Sequence, residues 1–279
     1  MEKRNRNGLT EEEFLKQYDP GDYERPSVTA DIMVLGMDEK LNLLKVLLIQ
    51  RGDHPYIDCF ALPGGFINID ESAYSAACRE LEEETGLKNI YLEQIYTMNQ
   101  PNRDPRMRVF SIAYMALTSK VPVVAGDDAK AAYWFDITFT DKKLELFNED
   151  TGIHIKYDLE EKIFSNGVER IKNYVPVYDD ASDNALAFDH AQLLLEGLMR
   201  LRNKVKYTGI AFNLVPKKFT LPDLQRVYEV ILGRPLYKKN FRKDIMKKVT
   251  PCNAKGTSIV GRKSSNLYEY TPMKEMADE

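Results

Sequence analysis

The sequence predicts an α/β protein: a mixed sheet covered by helices, then a small C-terminal unit of two helices and a hairpin. Three observations predict it. Strand-like runs and two helical segments alternate over residues 28–201, charge is unequally divided along the chain, and the last 70 residues or so read as capped helix, basic helix, hairpin. The first residues are polar and turn-rich through Asp19-Pro20-Gly21-Asp22, so 1–26 read as an N-terminal arm. Strands follow at Val28–Leu35, Leu44–Gln50 and Cys59–Leu62, where β-branched and aliphatic residues cluster. A helix is predicted over Ser72–Thr85, with Gly86 suited to a left-handed helix end. Strands return at Ile90–Met98, Val109–Leu117 and Ala131–Phe135, and a late helix spans Asp189–Leu201.

Between Asp136 and Ala187 the chain reads as an insertion, bounded at about 137–187. Period-two alternation in Leu144–Phe147 and Ile153–Tyr157 flanks Asp150-Thr151-Gly152, a hairpin signal, and Ser165-Asn166-Gly167 offers a second turn. A surface meander is expected there, as a neutral insertion, a lid or a dimer contact. The main domain is then 27–206 and the C-terminal unit 207–279.

Composition excludes several classes. The 279 residues are 43% apolar and 29% charged, a globular balance. No apolar run approaches the roughly 18 residues a membrane helix needs, and no apolar core follows the charged N-terminus, so neither membrane nor secretion is expected. Cys59, Cys78 and Cys252 are too scattered for a disulfide framework or a zinc cluster. A cytoplasmic protein is the plain expectation. Residues 201–279 hold 17 Lys/Arg against 7 Asp/Glu, leaving 22 against 36 before them; the basic end has net +10 and the body −14. Such a split suits two partners, one of them rich in phosphate, or a merely solvated basic face.

The chemistry is concentrated in Gly65–Leu87. Glu80, Glu83 and Glu84 stand at i, i+3 and i+4, so three carboxylates share one side of a helix. Oxygen-rich clusters suit hard cations such as Mg2+ or Mn2+, although an acidic solvated face has the same spacing. Gly64 and Gly65 let the preceding loop pass close to the helix and offer backbone N–H groups to an anion. Arg79 is placed to pair with a carboxylate or a strand carbonyl. Asp127 and Asp128, just before Trp134-Phe135, supply a candidate base outside this segment, or simply a turn.

Gly65, five residues, Glu71, seven residues, Arg79-Glu80-Leu81, one residue, Glu83-Glu84, one residue, Gly86-Leu87 resembles the Nudix box at every fixed position. That resemblance implies an α/β/α sandwich and metal-dependent cleavage of a nucleoside diphosphate linked to another moiety. It implies Glu83 and Glu84 as principal metal ligands, Glu80 as a further ligand or base, and Glu71 and Arg79 as residues that hold the loop and helix in register. Ala61–Phe66, Asp104-Pro105-Arg106 and Ala187-Phe188-Asp189-His190 further resemble the branch containing ADP-ribose pyrophosphatases and the Nudix-related transcriptional regulators of NAD metabolism. Arg103, Arg106 and Arg108 are candidates to meet a diphosphate, or form a solvated loop. His190, at a helix start, reads as a structural hydrogen-bonder.

At the C-terminal end, Thr220-Leu221-Pro222-Asp223 opens a helix with a cap, an early proline and an acid, and Gly233 closes it. A second helix, about Tyr237–Lys248, buries Phe241 and Ile245 and exposes Lys238, Lys239, Arg242 and Lys243. A basic hairpin follows through Gly261-Arg262-Lys263. This order resembles the winged helix-turn-helix of the regulators just named, implying duplex DNA as a partner or, failing that, a dimerisation module. The combined expectation is a nucleotide pyrophosphatase with a DNA-binding appendage, or a regulator whose Nudix domain senses its nucleotide without turnover, in either case a homodimer.

Overall fold

The computed structural model describes residues 2–119 and 132–271. Its spine is β1 (Ser27–Met37), buried along almost its whole length and paired in parallel with β6 (Val109–Leu117) and antiparallel with β2 (Leu44–Gln50). Alternate residues of β1 serve opposite faces, as the pleat requires. Ile32 and Val34 pack with Ala76, Ala77 and Leu81 of α2 (Ala73–Thr85), while Met33 and Leu35 pack with Leu194 and Leu198 of α3 (His190–Lys204). One helix on each face makes the α/β/α sandwich that the box resemblance implies.

Two short strands, β3 (Phe60–Ala61) on β2 and β4 (Gly64–Phe66) on β1, carry the glycine loop, with β5 (Tyr91–Met98) at the far edge beside β6. On the other side the sheet continues through β7 (Ala132–Phe139), β8 (Lys143–Phe147), β9 (His154–Asn166) and β10 (Glu169–Tyr178). Here the expected surface meander is corrected. Leu144, Leu146 and Ile155 are fully buried and belong to the main core, so the segment extends the sheet instead of lying on it. The alternation seen in the sequence is that of an edge with one buried face. The outer half of the β9–β10 hairpin is largely exposed. Within the N-terminal arm, Thr10 and Glu13 form a capping box on the short helix α1 (Glu11–Gln17), none of whose residues is buried.

The C-terminal unit is β11 (Phe219–Thr220), α4 (Leu221–Leu232), α5 (Lys238–Ile245), and the hairpin β12 (Val249–Thr257) and β13 (Ser264–Tyr270), with strand order β11-β13-β12. It does not have a separate core. Leu224, Val227, Ile231, Phe241 and Ile245 join the same buried cluster as α3 and the sheet, through Ile210, Ala211 and Leu214 of a short 3-10 turn. Two arginines stitch the junction. Arg226 on α4 donates to the Leu41 carbonyl (3.2 Å) and to Asn42 (3.0 Å). Arg202, at the end of α3, lies over the Phe139 ring (4.1 Å) and donates to the carbonyls of Phe139 (3.3 Å) and Ile231 (3.2 Å). Ile231 is in the last turn of α4, where a cation is favoured by the orphan carbonyls. Among the described residues no helix is long and apolar enough to cross a membrane.

Arg202→Ala removes both carbonyl contacts and the ring contact from a half-buried junction. A loss of about 1–3 kcal/mol is expected, read as a lower midpoint in calorimetry, with the two domains still unfolding together.

Candidate functional site

The site is built where β1, β4 and α2 meet. Asp31 of β1 lies opposite Gly64, and Ala30 opposite Gly65. Gly64 tolerates no side chain, since a Cβ there would strike the Ala30 carbonyl, and a Cβ at Gly65 would displace the Glu80 carboxylate. The loop therefore passes within contact distance of the helix that carries the acids. The Gly64 N–H, expected to face an anion, instead donates to Glu84 at 2.7 Å. That single bond ties loop to helix, and burial outweighs it, pushing the Glu84 carboxyl up to about 8.

Arg79 organises the rest of the cluster. Its guanidinium donates to Glu71 (2.7 and 3.2 Å), to Glu80 (2.7 Å), to Glu83 (3.1 Å) and to the Phe66 carbonyl (3.2 Å). It thus meets carboxylates and a strand carbonyl at once. Arg79, assisted by the Asn68 N–H, holds the Glu71 carboxyl down at about 2. Burial pushes Glu80 upward against the pull of Arg79. Among the described residues no three acids, histidines or cysteines stand in metal-binding geometry as they lie. Glu80 and Glu83 are turned to Arg79 and Glu84 to Gly64, yet all three project from one side of α2. As a donor set, oxygen only and net negative, they fit a hard divalent cation once turned outward. Asp127 and Asp128 lie outside the described residues.

Beside the loop opens a cavity of about 180 Å3, reaching from Gly64 and Phe66 to Arg51, Arg103, Arg106 and Phe188. Arg103 and Arg106 both reach it, but in different states. Arg103, 3% exposed, is gripped by Asp189 (2.7 and 2.9 Å) and by Asp31 (3.4 Å), with the Ser111 hydroxyl also donating to Asp31. Its fork faces carboxylates, not an open diphosphate subsite. Arg106 is bidentate on Asp104 (2.7 and 3.0 Å) yet stays partly exposed, over the rings of Phe66 and Phe188. Arg108 stacks on Phe110 at 4.4 Å and does not line this cavity.

Arg51 escaped the sequence reading. It sits over Phe188 at 4.9 Å, donates to the Pro55 carbonyl (2.8 Å), and is depressed by burial and by the like charge of Arg106. Two guanidiniums held against one aromatic ring make an electropositive mouth. Phe188 itself holds φ +55°, an uncommon left-handed backbone for an aromatic residue. The only clue in the sequence was an arginine at a strand end before a glycine, a pattern too common to single out. His190 accepts the Leu62 N–H through Nδ1 at 3.0 Å, and burial pushes its pKa down.

The second surface is α5. Lys238, Lys239, Arg242 and Lys243 lie on its outer side, while Phe241 and Ile245 anchor the opposite one. Arg242 shares a groove of about 480 Å3 with Lys255, Ser264 and Asn266 of the hairpin.

These features define a Nudix domain joined to a winged helix. The NUDIX domain family matches residues 25–151, and the NrtR DNA-binding winged helix domain matches residues 211–270. The ADPR responsive transcriptional repressor NtrR of Acinetobacter baylyi is 31% identical over 266 residues, covering 95% of this chain and 90% of that protein. This chain belongs to that family, the NrtR-type Nudix proteins. An ADP-ribose pyrophosphatase of Methanocaldococcus jannaschii is 42% identical over 115 residues, 41% of this chain and 64% of that protein. The structure of Shewanella oneidensis NrtR complexed with a 27mer DNA superimposes with a TM-score of 0.63 at 27% identity, covering 88% of this chain and 93% of that one.

His190→Ala should strand the Leu62 N–H and cost about 1–3 kcal/mol near neutrality. Because burial depresses the imidazole pKa, the wild-type contribution is complete above the ordinary histidine pKa and is lost as pH falls below it. Denaturant titrations at about pH 7 and about pH 5 should therefore show the gap between wild type and variant narrowing on acidification.

Proposed function

We propose that this chain is a DNA-binding regulator that binds ADP-ribose, or a closely related nucleoside diphosphate derivative, at the Nudix loop. We propose further that the same site cleaves the diphosphate of that ligand with Mg2+ or Mn2+. The observation that carries this reading is the presence in one chain of a complete box carboxylate set on α2 and an exposed basic helix beside a hairpin. The relatives named above, one a repressor responsive to ADP-ribose and one an ADP-ribose pyrophosphatase, support the two halves.

In this reading Glu83 and Glu84 are the principal metal ligands and Glu80 a further ligand or the base. When bound, the cation neutralises the diphosphate and polarises phosphorus toward attack by water. The chain's own residues do the rest. Arg51 and Arg106 orient the anion at the mouth of the cavity, Phe66 and Phe188 offer apolar faces, and Gly64 and Gly65 allow the ligand close to the backbone. Glu71 and Arg79 hold the loop against α2. Asp128 is proposed as the base supplied from outside the box. Lys238, Lys239, Arg242 and Lys243 contact phosphates of duplex DNA, and a homodimer presents two such helices to half-sites about whole turns apart.

A second reading, a sensor without turnover, draws on the internal pairing of Glu80 and Glu83 with Arg79, which leaves them partly neutralised. AMP release from ADP-ribose with Mg2+ or Mn2+ separates the two. Glu83→Gln should cut turnover by about a hundredfold or more while the fold survives. Absence of cleavage by wild type across ADP-ribose, NADH, dinucleoside polyphosphates and CDP-alcohols, with DNA affinity still responsive to ADP-ribose, would establish the sensor.

For the DNA half, wild-type affinity for a duplex selected from random sequence should fall steeply with salt. Charge reversal at Lys238 and Lys239 should weaken it and flatten the log–log salt slope by about 0.9 for each phosphate no longer neutralised. Enrichment of no sequence, with an unchanged slope in the variant, would make the winged helix a structural module.

A further inference from the structure

The turn that joins β12 to β13 is held by one buried carboxylate, and that carboxylate belongs to a helix 35 residues earlier. Asp223, in the first turn of α4, is 6% exposed. Its Oδ2 accepts from the Thr220 hydroxyl at 2.7 Å, while its Oδ1 accepts from the Ser258 hydroxyl at 2.8 Å and the Val260 N–H at 3.1 Å. Ser258 in turn accepts the Gly261 N–H through its hydroxyl (3.1 Å) and the Arg262 N–H through its carbonyl (2.9 Å), and its own N–H donates to Lys263 (3.0 Å). These bonds shape the turn, and each is linked, directly or through Ser258, to Asp223. Capping α4 does not require this. The Thr220 hydroxyl already accepts the Asp223 N–H, and an acid serving only the helix end would turn to solvent or to its own first turn.

The turn carries Arg262 and Lys263, and the hairpin beneath it forms one wall of the groove whose other wall includes Arg242 of α5. We propose that Asp223 is a positioning residue for DNA recognition: it fixes the wing, and with it Arg262 and Lys263, in a set relation to the basic face of α5. This rests on the DNA-binding reading above. Asp223 does not touch DNA. These hydrogen bonds hold the wing in place before binding, so little conformational freedom remains to be lost when a duplex arrives.

The test uses the full-length protein and a duplex selected by the wild type. Asp223→Ala should weaken binding about tenfold, whereas Asp223→Asn should bind nearly as wild type, because its amide oxygen still accepts from Ser258 and Val260 while its NH2 can donate to the Thr220 oxygen. In a variant already lacking the Arg262 and Lys263 charges, Asp223→Ala should cost little more. Combined with alanines at Lys238 and Lys239, its cost should add in full. Hydrogen exchange at Val260 and Gly261 should quicken in Asp223→Ala, with the protection of β1 and β6 unchanged. Should that variant lose the winged helix altogether, Ser258→Ala, which removes a single donor from the carboxylate, takes its place in the same comparisons. Wild-type affinity in Asp223→Ala, a loss independent of Arg262 and Lys263, or unaltered exchange at Val260 would overturn the proposal. Failure of the wild type to bind any duplex is a separate result, visible without a variant, and overturns the DNA reading together with what rests on it.

Discussion

The grip of Asp189 and Asp31 on Arg103 is the interaction on which the rest of the site depends. It joins three pieces of chain that are far apart in sequence: the centre of β1, the loop before β6, and the residue that opens α3. A guanidinium buried among apolar strands is costly unless each of its faces is matched, and removing one partner of such a group typically costs about 3–5 kcal/mol. With Arg103 fixed, Asp31 is fixed beside Gly64, and Asp189 is committed to a long-range partner and makes no side-chain cap on its own helix. Phe188 and His190, its chain neighbours, are thereby delivered to the cavity wall and to the Leu62 amide.

The acids of α2 show a second constraint. Three carboxylates on one side of a helix would repel, and the structure answers with one arginine for two of them and one backbone amide for the third. Both compensations use groups that also hold the loop: Arg79 reaches the Phe66 carbonyl, and Gly64 is the loop itself. Loop position and carboxylate charge are therefore coupled. Any cation that draws the acids outward changes what fastens the loop, an outcome that a set of acids salted by surface lysines would not produce.

Much of this was legible in the chain. The strands from Val28 to Gln50, the helix ending at Gly86, and the capped helix ending at Gly233 are local patterns of periodicity and capping, and they recur in the structure within a residue or two. The box was legible because its acids and glycines sit at fixed short spacings. What escaped has its cause at long range. Arg51 acquires meaning only because Phe188, 137 positions later, folds its ring beneath it. Arg103 looked like one of three equivalent loop arginines, and only burial separates it from Arg106 and Arg108. The meander between Asp136 and Ala187 was misplaced because alternation reports that one face is covered without reporting what covers it. Leu144 and Ile155 face the main core, not a private one.

The continuous core at the domain junction also bears on how the chain comes into being. A ribosome delivers residues 27–206 first, with Leu198, Leu201 and Val205 at the α3 end still lacking the α4 and α5 side chains that complete their packing. Until the winged-helix residues emerge, the nascent protein carries an uncovered apolar face, and Arg202 keeps its Phe139 contacts but lacks the Ile231 carbonyl. Arrival of the winged helix therefore covers a face that the earlier residues cannot bury among themselves.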